Sequence, residues 1–135
     1  MSNRRWLFGL ATLLCVALAL GGTAFALWLV QYARAADYPG ATLVGDQTIY
    51  KYVPHIVMRR DSSYRTTDPF PEVYNWYSNQ FSLGPETWAQ SACIQMAKAT
   101  TWAVIERQTS VMVCDTSNGR MVFVMRSVGL RLRLP

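Results

Sequence analysis

Histidine is nearly missing from this 135-residue chain: His55 is the single one, beside three cysteines and eight acidic residues. That scarcity removes most of the side-chain sets on which catalysis is built. A metal site would have to combine His55 with Asp46 or Asp61, and no clustered ligands accompany them. No Cys-x-x-Cys-His run offers covalent haem attachment, and no four-cysteine set offers an iron–sulfur cluster. The serines lack the surroundings of a nucleophile elbow, and no glycine-rich loop is placed to cradle phosphate. Glu72, Glu86 and Glu106 stand far apart in sequence, without the signature of an acid pair. The expectation is a chain with no catalytic residue, no metal and no cofactor.

The second absence is charge. From Trp6 to Val30 roughly 25 residues pass without a charged side chain, enough at ~1.5 Å per residue to cross a ~30 Å hydrocarbon core. The lack of any acid, base or histidine there excludes a proton relay or ion path on this helix, and an intramembrane histidine ligand for bacteriochlorophyll or haem. Arg4 and Arg5 precede the run, whereas its far flank carries one arginine, Arg34, and one aspartate, Asp37. The positive-inside bias predicts a cytoplasmic N-terminus and an exported C-terminal domain. Trp6 and Phe8 at one end, and Phe25, Trp28 and Tyr32 at the other, suit the two membrane interfaces. Ala33-Arg34-Ala35 has the small-x-small form of a signal-peptidase site, yet secretory apolar regions span only ~7–15 residues, so the segment reads as a retained anchor. Within it, Ala17 with Gly21 and Gly22 with Ala26 form small-xxx-small pairs on which a second helix can pack closely.

The expected organisation is a cytoplasmic N-terminus over 1–5, a transmembrane helix over 6–32, a short linker over 33–40 and an extracytoplasmic domain over 41–135. Tyr38-Pro39-Gly40 marks the break as a turn, and so short a linker holds the domain close to the membrane. Outside the Arg4-Arg5 pair, eleven of the thirteen basic residues remain against eight acidic ones, a mild excess suited to a solvated surface near anionic lipid or an acidic partner.

In the domain, Thr48–Met58 reads as a strand interrupted at Pro54 near a sheet edge, with residues 59–67 a continuation or a loop. Phe70, Val73, Tyr74, Tyr77 and Phe81 form one apolar helical stripe, with Asp68 as the expected cap, Pro69 and Pro71 in the first turn and Gly84-Pro85 as the stop. Residues 85–101 read as a short helix passing into a strand. Beyond Trp102 the pattern is β: Val111–Cys114 and Met121–Met125 flank an Asn118-Gly119 turn, and Leu130, Leu132 and Leu134 alternate as a half-buried strand. The fold class is α+β: one N-terminal transmembrane helix, then an antiparallel sheet with one or two helices. Cys93 and Cys114 are the two cysteines of the exported part. They read as a disulfide adding roughly 3 kcal/mol, the alternative being two buried thiols.

Aromatic residues are concentrated at Tyr50-Lys51-Tyr52 and Tyr74-Asn75-Trp76-Tyr77. Export argues against a nucleic-acid platform. Trp76, which falls off the helical stripe, and Tyr50 with Tyr52 are the candidate partner surface.

The Arg4-Arg5 start, the apolar span, Tyr38-Pro39-Gly40-Ala41 and the Cys93…Cys114 pair ahead of an Asn-Gly hairpin together resemble small single-span exported proteins of green non-sulfur (filamentous phototrophic) bacteria. Some of these are accessory subunits of photosynthetic or respiratory electron-transfer complexes. The resemblance implies a supporting role in the bacterial cytoplasmic membrane, without a redox group. Its partners would be the lipid bilayer and the transmembrane helices and extracytoplasmic parts of other subunits, with no nucleic acid. The other expectation is an independent tethered module that binds an envelope ligand or protein.

Overall fold

The computed structural model describes residues 2–130. The strand expected from Leu132 and Leu134 lies outside the described residues, as do the side chains of Trp6 and Phe8. The chain divides into two compact units between Ala35 and Ala36.

The first unit is helix α1, Ser2–Arg34. Its apolar segment Gly9–Tyr32 has 24 residues, about 36 Å of helix, and none of it is buried within the chain. That length and composition suffice to cross a membrane. The two threonines in the segment hide their polarity locally: Thr12 Oγ donates to the Gly9 carbonyl and Thr23 Oγ to that of Leu20, each at 2.9 Å. Phe25, Trp28 and Tyr32 recur at helical spacing and stack in succession, with ring centroids 5.9 and 5.5 Å apart.

The second unit is a six-stranded sheet with one helix laid on it. Strands β1 (Thr42–Lys51) and β2 (Ile56–Thr66) form a hairpin. Helix α2 (Phe70–Phe81) then leads to the meander of β3 (Glu86–Gln90), β4 (Cys93–Trp102), β5 (Ile105–Thr116) and β6 (Gly119–Leu130). Since β6 pairs with β2, the spatial order is β1-β2-β6-β5-β4-β3, every neighbour antiparallel. The expected α+β class is what the chain adopts, with a single helix among the described residues of this unit.

The core follows from strand alternation. Tyr64, Met96, Val111, Val113, Val122 and Val124 point to one face, where Val73 and Tyr77 of α2 close over them. Each valine buried there contributes about 1.5–3 kcal/mol. The predicted apolar stripe is the buried face of α2, and Arg126 lies over the Phe81 ring at 5.3 Å where the helix ends.

Several local expectations are corrected. Pro69, not Asp68, is the N-cap, and no side chain bonds to the cap; the Asp68 N–H instead donates to Thr66 Oγ. Gly84 does not end the helix: Ser82 takes the left-handed conformation, and the Ser82 and Leu83 N–H groups donate to the carbonyls of Asn79 and Ser78. Pro54 separates two strands of one hairpin rather than interrupting one strand, and residues 59–66 continue β2. No helix opens at Pro85. Glu86–Gln90 is an edge strand, paired with β4 through Ala89↔Ile94 and Gln90↔Cys93. In the β5–β6 turn, Gly119 alone has positive φ (+108°), and a Cβ there would stand 2.6 Å from the Thr66 carbonyl oxygen.

The expected linker 33–40 is also revised. Ala36 and Tyr38 are buried at 2% and 9% exposure, as parts of the core. Short-range composition reads Ala-Asp-Tyr-Pro-Gly as a spacer, but the burial comes from side chains far along the chain.

Candidate functional surfaces

On α1 the small residues Ala17, Gly21, Gly22 and Ala26 are all exposed, and a Cβ built on Gly21 or Gly22 meets nothing within 4 Å. The helix surface there is shallow and open, the form that admits a second helix at close range.

The start of the second unit is held by three rings. The Tyr77 hydroxyl donates to the Ala36 carbonyl at 3.0 Å, and the Tyr64 hydroxyl to Asp37 Oδ1 at 2.8 Å. Tyr38 meets the edge of Trp76 at 5.2 Å between centroids, and Trp76 meets Tyr77 at 4.7 Å. Burial, reinforced by the Asp37 carboxylate, pushes the Tyr64 hydroxyl up to about 12, and burial drives that of Tyr77 still higher. Both phenols therefore remain donors across the physiological range.

Trp76 is packed against the core and half-buried. It does not join Tyr50 and Tyr52. Those residues lie at the far end of the sheet, at 59% and 71% exposure.

Asp46 anchors the most extensive ion pair among the described residues. Arg60 donates to both its oxygens at 2.8 and 2.7 Å, and Ser62 Oγ adds a bond at 3.0 Å. The hydrogen bond from Arg60 is the main cause that lowers the Asp46 carboxyl below its usual value, against an opposing contribution from burial. Asp61 alternates to the other sheet face and pairs with Arg59 at 2.8 Å. His55 sits in the β1–β2 turn, about 17 Å of strand from Asp61. The fold does not bring His55, Asp46 and Asp61 together, and no group of three or more His, Cys, Asp or Glu side chains forms a metal-ready cluster among the described residues.

Cys93 and Cys114 are direct cross-strand partners in β4 and β5, joined as a disulfide with Cα atoms 4.0 Å apart. The bond lies on the sheet face away from α2. That face is uncovered, with Met112, Met121, Phe123 and Met125 among serines, glutamines and Arg59. It bears a shallow groove of about 310 Å³, lined in part by Ile49, Val57, Arg59, Gln108 and Met125.

One concentration was not legible in sequence. Leu130 is the register partner of both Ile56 and Ile105, so the β1–β2 turn, the β4–β5 turn and the end of β6 meet at one end of the sheet. Tyr50, Tyr52, Val53, Ile56, Trp102 and Val104 are all exposed there, Val53 at 85% and Trp102 at 78%. Six residues of β6 lie between Leu130 and Phe123 on the open face. No protein-family profile, no curated protein sequence and no solved structure matches this chain.

Proposed function

We propose that this chain is a non-catalytic, single-pass subunit of a multi-subunit bacterial membrane complex. In this reading Arg4 and Arg5 keep the N-terminus in the cytoplasm, and the sheet domain lies outside. The resemblance to single-span proteins of filamentous phototrophs points to an energy-transducing assembly, photosynthetic or respiratory. The helix packs on other spans through Ala17, Gly21, Gly22 and Ala26, and the domain braces extracytoplasmic parts.

The observation that carries this reading is the burial of Ala36 only four residues beyond Tyr32, the last residue of the apolar segment. A module that searches for soluble ligands gains from a long flexible tether. With so few residues between the apolar segment and the domain core, this chain has no such tether. A tethered binding module is the second reading, favoured by the groove at Ile49, Arg59 and Met125.

Replacing Gly22 by Leu tests the first reading. The open face at Gly22 has room for the side chain within this chain, so the variant keeps its fold. Loss of co-purifying subunits supports a packed helix; undiminished co-purification removes the packing claim.

A further inference from the structure

Beyond α2 the helix-side face of the sheet changes from apolar to cationic. Alternation carries that face from the buried Ser62, Val124, Val111 and Met96 to the residues two positions along each strand. The register joins these into one row across five strands: Thr48, Arg60, Arg126, Thr109 and Lys98. Arg107, two residues from Thr109, is the diagonal neighbour of both Lys98 and Arg126, at about 7–8 Å. Setting aside Arg4, Arg5, Arg34, Arg131 and Arg133, eight of the thirteen basic residues lie in 36–130 together with all eight acids, so that part of the chain is neutral overall. Four of those eight cations nevertheless gather here, Arg60, Lys98, Arg107 and Arg126. Asp46 is the one acid beside them among the described residues, since Glu86 and Asp37 bond to Tyr74 and Tyr64 and Glu106 alternates to the opposite face. Arg60 stands directly opposite Arg126, and like charges so placed destabilise a sheet.

Asp46 shows what such a row holds. Arg60 donates to both its oxygens, and the Ser62 hydroxyl adds a third bond. Lys98 and Arg107 repeat that set of cation beside hydroxyl, with Thr109 and Thr100 as their register partners. Both are exposed, and among the described residues neither side chain has an ion pair or a hydrogen bond. The set is present without its carboxylate.

We propose that this face docks an acidic segment of a partner protein, whose carboxylates seat on Lys98 and Arg107 in the field of Arg126. The proposal rests on the subunit reading and names one contact that the sheet domain makes within it. Three of the four cations are arginines, whose planar fork matches a carboxylate. The next row of the same face adds Tyr50, Met58 and Val128. Arginine, tyrosine and methionine are enriched where proteins meet, so the mixture favours a protein surface over a plane of lipid headgroups.

The chain has two lysines, Lys98 on this face and Lys51 on the opposite one, both exposed. A carbodiimide joins a lysine amine to a carboxylate in direct contact. Applied to source membranes that hold the full chain, it should link Lys98 to an Asp or Glu within an acidic stretch of another protein, as read by mass spectrometry of the linked peptides. Lys51 is the internal control. In a second arm the purified full chain, in phosphatidylcholine nanodiscs, binds a fluorescent oligo-glutamate peptide. Lys98→Gln with Arg107→Gln should weaken that binding about tenfold, and Lys51→Gln with Arg65→Gln, on the opposite face, less than about twofold. Equal losses in the two double variants would overturn the proposal, as would Lys98 linked no more often than Lys51 or linked only to a second copy of this chain. Displacement of the peptide by glycerol phosphate at lower concentration than by glutarate, at matched ionic strength, would overturn it in favour of a lipid headgroup. A complex that retains the chain with Lys98 unlinked removes this contact and leaves the subunit reading standing. An unassembled chain that still binds oligo-glutamate on this face does the reverse.

Discussion

The Tyr77 hydroxyl reaches 41 residues back along the chain to bond the Ala36 carbonyl at 3.0 Å, in a site where Tyr77 has no exposure at all. This bond ties the first residue of the domain to the centre of α2. Removing the hydroxyl strands a buried acceptor, so Tyr77→Phe should cost about 1–3 kcal/mol. Chemical denaturation of the detergent-solubilised protein reads the difference; an unchanged midpoint would show that water replaces the bond without penalty.

The bridge between Cys93 and Cys114 closes a separation of 21 residues across β4 and β5. Cys114→Ser should lower stability by roughly 3 kcal/mol, and a reducing agent should destabilise the native protein by a similar amount while leaving the variant unaffected. Thermal melts with and without reductant check both statements.

Gly119 is required by two independent constraints, its φ of +108° and the 2.6 Å approach that a Cβ would make to the Thr66 carbonyl. Gly119→Ala should therefore destabilise by about 2–4 kcal/mol. An alanine variant of native stability would mean that the β5–β6 turn relaxes away from β2.

Asp46 sets a dependence on pH. Its carboxyl is lowered chiefly by the hydrogen bond from Arg60, so the pair's contribution is fully present above the unfolded value, about 3.9, and is lost as pH falls through the lower folded value. Asp46→Asn should be less stable than the native chain at neutral pH, and the gap should narrow below about pH 4. Denaturation midpoints at neutral and acid pH check this; a constant gap would assign the effect to shape rather than charge.

Some of the architecture was legible and some was not, for physical reasons. The stripe from Phe70 to Phe81 announced α2 because helical periodicity is a local property, and the Asn118-Gly119 pair announced the last hairpin for the same reason. Glu86–Gln90 was not legible: Pro85-Glu86 has the form of a helix start, and only pairing with β4 makes it a strand. Ala36 and Tyr38 looked like linker because their burial depends on Tyr64, Trp76 and Tyr77. Tyr50 and Tyr52 stood out in the sequence, but their neighbourhood with Trp102 and Val104 required the sheet order. The packing of Trp76 was not legible either, because a residue beside a helical stripe packs only when a preceding segment folds back against it.

The central claim is that the chain belongs to a larger membrane assembly. Native electrophoresis of mildly solubilised source membranes, with mass spectrometry of the band holding this chain, tests it most directly. The account predicts co-migration with a large complex at fixed stoichiometry. Migration alone, near the 15.3 kDa of the single chain plus its detergent, would contradict it.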